Sequence, residues 1–107
     1  MSLDVTLQKM MLVDVYSANI THNLGEMAAE AGIYEALWRP EEINIAEAGG
    51  LIPILAKGLT ELKKDRERFE KFNPENGWGD YDGLVKFVEN YLLACIENPE
   101  AIISVSR

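Results

Sequence analysis

Residues 4–18, DVTLQKMMLVDVYSA, contain neither Gly nor Pro and place Val5, Leu7, Met11, Val13 and Val15 on one parity. That alternation predicts a long strand, interrupted at Lys9. Met10 and Leu12 fall on the other parity, so the middle of the strand is expected to be covered on both faces. The last seven residues, AIISVSR, predict a shorter strand after the Asn98-Pro99 stop. Between these ends the apolar spacing changes to three and four. Leu24, Met27, Ala28 and Ala31 form one stripe, opened by Asn23 and Glu26 in capping-box spacing and closed by Gly32. YEALWRPEEI (34–43) breaks at Pro40, which can start a new turn.

Ala48, Leu51, Ile52, Leu55, Leu59 and Leu62 predict a central helix opened by Asn44 and Glu47, again in capping-box spacing. It is expected to kink near Pro53, or to cross another helix closely at Gly49-Gly50, and to run on through Phe69. FNPENGWGDYDG (72–83) is a loop ending in Asp80 or Asp82 as a helix cap. Leu84, Val85, Phe87, Val88, Tyr91, Leu92 and Cys95 then make one broad apolar face. The order predicts an α+β fold, mostly helical: an N-terminal strand, three to four helices and a C-terminal strand pairing with the first, in a single domain, 1–107. So narrow a sheet has exposed edges, and pairing across a two-fold axis predicts a homodimer.

Composition narrows the chemistry. The chain has 107 residues, a formal net charge of −8, one His and one Cys. A phosphate backbone would be repelled by that charge, so no nucleic-acid partner is expected. The densest basic stretch, KKDRER (63–68), carries Asp65 and Glu67 within it and reads as a solvated helix face with i,i+4 pairs such as Glu67 to Lys71. A lone Cys95 on an apolar face reads as a small core residue. One His and one Cys exclude a zinc site built on His/Cys clusters within one chain, and no metal or cofactor is expected. Asp80 and Asp82 alternate as in a calcium loop but lack the continuing ligands. No secretion signal and no membrane span is expected, which suggests a cytoplasmic protein.

The candidate chemistry gathers at the joint between strand and helix. Asn19, Thr21, His22 and Asn23 crowd the predicted strand-to-helix junction, with Glu26 one turn on, and Asn76 and Trp78 on the long loop could cover them. Free backbone N–H groups there would attract a small polar or anionic ligand, and His22 could serve a hydrolase or transferase as general base, with Asp14 or Tyr16 lining the cavity. Each residue also has a structural use: Asn23 or Thr21 as N-cap, Asn76-Gly77 as a turn, Asp80 as a cap, Trp78 as a cover for the core edge.

At NITHNLGEMA (19–28), YEALWRP (34–40) and NPENGWGDY (73–81) the sequence resembles a group of small proteins of unassigned activity encoded in bacterial genomes and phages. The resemblance implies no catalytic residue and no cofactor. It implies an accessory or host-interaction role as readily as metabolism. A non-catalytic binding or accessory protein therefore stands first, and a ligand-binding protein or enzyme built on His22 is the alternative.

Overall fold

The computed structural model describes residues 1–9 and 13–107. The fold is α+β and mostly helical, with a three-stranded antiparallel sheet in the order β2-β1-β3. β1 is Ser2–Gln8, β2 Asp14–Thr21 and β3 Ile102–Ser106. The C-terminal strand pairs with the first, as the pattern predicts, with Val5 opposite Val105 and Leu7 opposite Ile103.

The single strand expected over 4–18 is instead a hairpin. At about 3.3 Å per residue fifteen residues would run about 50 Å, longer than the molecule's 41 Å longest extent. The chain turns back where the alternation falters: the Lys9 N–H bonds the Val13 carbonyl at 3.2 Å, and the register shifts at Leu7/Gln8 so that Gln8 faces Asp14. Met10, Met11 and Leu12, on which the two-faced reading rested, lie outside the described residues.

Strict alternation on β1 buries Leu3, Val5 and Leu7 completely, and their cross-strand neighbours Ile20, Ala18 and Tyr16 continue the apolar face. Two seventeen-residue helices, α3 (Ala48–Lys64) and α5 (Tyr81–Glu97), supply the long apolar faces of the core, with Leu51, Leu55 and Leu62 from one and Leu84, Val88, Tyr91 and Cys95 from the other. The Tyr16 and Tyr91 rings stack at 6.0 Å, which fixes β2 against α5. The opposite sheet face carries Ser2, Asp4, Thr6, Ser17, Asn19 and Ser104 toward water.

Three short helices, α1 (Gly25–Glu30), α2 (Tyr34–Trp38) and α4 (Arg66–Glu70), complete the helical part. α1 ends as expected: Gly32 sits at φ 79°, its N–H bonds the Ala29 carbonyl, and the Ile33 N–H bonds Ala28. Asp80 caps α5, its Oδ1 accepting from the Gly83 N–H at 2.7 Å.

Other boundaries differ from expectation. Asn44 does not open the central helix; at φ 59° it closes the short 3-10 turn Pro40–Ile43, and α3 starts at Ala48 with no side-chain cap. α3 does not reach Phe69, because Asp65 interrupts it and caps α4 through the Arg68 N–H. Pro53 lies within α3 on its exposed side, where the hydrogen bond it cannot donate faces solvent. The Gly49-Gly50 pair admits a turn and not another helix: a Cβ on Gly49 would stand 3.1 Å from the Pro99 carbonyl oxygen, which accepts the Gly49 N–H at 2.8 Å. The KKDRER face ties elements together where Glu67 to Lys71 was expected, with Arg68 reaching Glu30 and Glu61, Arg66 reaching Glu70 and Asp82, and Lys63 reaching Glu89.

The two sheet edges are unlike. Beyond β3, the Ile103 N–H bonds the Ala46 carbonyl, the Ala48 N–H bonds Ala101, and Glu47 bridges to Ile102, so the segment before α3 covers that edge. Among the described residues no strand lies beyond β2. No helix among them is long and apolar enough to cross a membrane.

Candidate functional site

The junction begins where β2 ends. Thr21, in extended conformation, is the residue that caps the following 3-10 turn (His22–Leu24): its Oγ1 accepts from the Asn23 N–H at 3.3 Å. Asn23 is therefore not the N-cap its spacing predicts, and its side chain is free to reach elsewhere. Its Nδ2 donates to the Asn76 Oδ1 at 3.5 Å and to the Trp78 carbonyl at 3.4 Å, fifty-odd residues along the chain. Asn76 is already turned inward by its own loop, its Oδ1 accepting the Trp78 N–H at 2.9 Å. Gly79, at φ 96°, packs so closely that a Cβ there would stand 2.6 Å from the Thr21 methyl and 3.0 Å from Leu24. Asn23 and Gly79 together clasp the 73–80 loop to the end of β2.

His22 faces the other way, toward α2. The indole Nε1–H of Trp38 donates to its Nδ1 at 2.8 Å, and the two rings lie 5.9 Å apart. An indole nitrogen can only donate, so Nδ1 is the acceptor and the proton of the neutral ring sits on Nε2. Trp38 is 1% exposed and stacks on Tyr34 at 5.3 Å. Without His22 its N–H would be buried and unpaired, at a penalty of about 1–3 kcal/mol. The histidine satisfies the core's largest side chain. A general base needs a free lone pair aimed at its proton, and the one such pair on this imidazole is already engaged.

The seven candidate residues thus divide. Thr21, Asn23, Asn76 and the backbone of Trp78 come together; His22 points to Trp38; Asn19 lies exposed opposite Asp4 on the solvent face of the sheet; Glu26 is exposed on α1. Trp78 does not cover the core edge, for it is 71% exposed. Two open cavities, of about 730 and 380 Å³, lie elsewhere, and none of the seven residues lines either.

No family model matches the chain, and no curated protein or solved structure matches it.

Other titratable groups also have structural places. Asp80 is a cap and Asp82 pairs with Arg66 at 3.0 Å, which uses both carboxylates of the calcium-like loop. Among the described residues no group of three His, Cys, Asp or Glu could hold a metal. Cys95 is fully buried, and burial pushes its thiol up to about 12, far from the thiolate that reactivity requires. Burial raises the Tyr91 hydroxyl further, and that hydroxyl has no hydrogen-bond partner among the described residues. The residues that sequence reasoning overlooked are Trp38 and Gly79. Neither carries a local signal, because each acts on a residue far away in the chain.

Proposed function

We propose that the chain is a non-catalytic binding protein that assembles as a homodimer through the free edge of β2. What carries this reading is the contrast within the sheet. The β3 edge is covered by backbone hydrogen bonds from 46–48, while eight residues of β2 have no strand beyond them among the described residues. β2 has no Pro, no Lys and no Arg, and its one register shift lies near its start, opposite Leu7/Gln8, away from Ser17 and Asn19. The His22 N–H bonds the Met1 carbonyl, and antiparallel alternation then turns the backbone groups of Ser17 and Asn19 outward. The Ile103 N–H, outward on the opposite edge by the same alternation, does find a partner in Ala46. An antiparallel edge is self-complementary about a two-fold axis, so a second copy fits it without new chemistry.

The alternative, a pocket for a small polar or anionic ligand or an active site on His22, loses its support where the junction's polar groups find partners inside the chain. The resemblance to phage-encoded proteins agrees with an accessory role, exercised by contact with another macromolecule.

Light scattering at micromolar concentration tests the dimer, which should have twice the 12.0 kDa chain mass. Ser17→Pro removes only an outward N–H and should give a monomer with unchanged circular dichroism. Ser17→Lys, which sets like charges across the axis, should do the same. A wild-type monomer would overturn the reading.

A further inference from the structure

At the end of the molecule bounded by β3 and the start of α3, the turn 98–101 leaves an open cavity of about 730 Å³, large enough for one or two side chains of a partner. Its floor is apolar, with Pro99, Ala101 and Ile102. Of these, Ile102 is 46% exposed, so the groove presents apolar surface to solvent.

Charge selects the occupant. Glu47, Glu97 and Glu100 line the same cavity, and none makes an ion pair among the described residues, although seven other carboxylates do. The C-terminal end of α5 opens here and adds the negative end of its dipole. Among the described residues Lys9 is the one cation in the lining. An apolar floor with an acidic rim fits an apolar side chain flanked by Lys or Arg, and the net charge of −8 would steer such a segment toward it.

We propose that this groove docks a basic segment of a partner protein, an apolar residue with Lys or Arg on either side. The inference rests on the reading of the chain as a binding protein and leaves the dimer untouched, since the groove lies beside β3 and not at the free edge of β2.

The probe is a fluorescent peptide of Lys-Lys-Leu repeats, with Glu-Glu-Leu repeats as its counterpart, titrated against the whole protein by anisotropy. Two double charge reversals separate docking from attraction to an acidic protein: Glu97→Lys with Glu100→Lys in the groove, and Asp4→Lys with Glu75→Lys far from it. Both raise the net charge equally. The proposal expects the basic peptide alone to bind, and the groove reversal to weaken it by roughly tenfold more than the distant one. Ile102→Ser should weaken binding at unchanged charge. Melting curves confirm that each variant is folded. Equal losses from the two reversals, an unaffected serine variant, or no binding at all would overturn the proposal. Light scattering on the same samples reports the dimer separately.

Discussion

The two ends of β1 meet two polar regions of opposite character. At one, Thr21, His22 and Asn23 each have a partner inside the chain: a backbone N–H, an indole and a loop. At the other, Glu47, Glu97 and Glu100 have none among the described residues, and Ile102 stands exposed beside them. Density of polar residues in the sequence marks the first region, yet it is the second whose groups are left for an outside partner. A polar cluster signals function when its hydrogen-bonding capacity is unspent, and at the junction Thr21, Asn23 and the Nδ1 of His22 have spent theirs on folding.

If the junction is structural, its loss should appear as stability. The largest effect belongs to Trp38→Ala, expected to cost about 3–5 kcal/mol in denaturant unfolding, because it empties the core at the point that His22 serves. His22→Ala should cost about 1–3 kcal/mol by orphaning the indole N–H. His22→Gln, whose side-chain oxygen can accept, should recover part of it, and an equal loss in both variants would break the account of His22.

The interface between α5 and β2 supplies a pH test. Cys95 is raised from 9.0 to about 12 in the fold, and Tyr91 and Tyr16 are also raised, chiefly by burial. Above the unfolded value the unfolded chain gives up its proton first. Stability is therefore complete below about pH 9 and falls as pH rises toward 12, by at most about 1.4 kcal/mol per pH unit for the thiol. Cys95→Ala should flatten that slope, read from melting curves between those limits.

Smaller effects sharpen the contrast further. Asn23→Ala should cost about 0.5–1.5 kcal/mol and speed hydrogen exchange in 73–80 without altering the sheet. Glu97→Gln with Glu100→Gln should stay within about ±0.5 kcal/mol, since no internal partner is lost. A large loss there would mean that the groove is structural after all.

Much of this architecture is legible in one dimension. Period-two alternation marks β1 and β3, three-four spacing marks α3 and α5, and Gly32 and Asp80 mark the end of α1 and the start of α5 by the backbone chemistry each residue favours. Illegible parts are those where two readings share one local pattern. Asn23 and Thr21 are both acceptable caps, and the choice falls to Thr21 because only then can the Asn23 amide reach Trp78. Asn44 has cap spacing too, but the chain needs a left-handed turn there before the 46–48 segment can lie along β3.

What the sequence determined by itself is therefore the set of amphipathic elements, the single buried thiol and the acidic charge, because these follow from neighbours a few residues apart. Tertiary structure alone decided that the first strand folds back on itself, that the only histidine serves a tryptophan sixteen residues away, and that glutamates from two distant segments share one cavity. Each depends on contacts between segments far apart in the chain, and whether a polar group remains free is settled only when those segments meet.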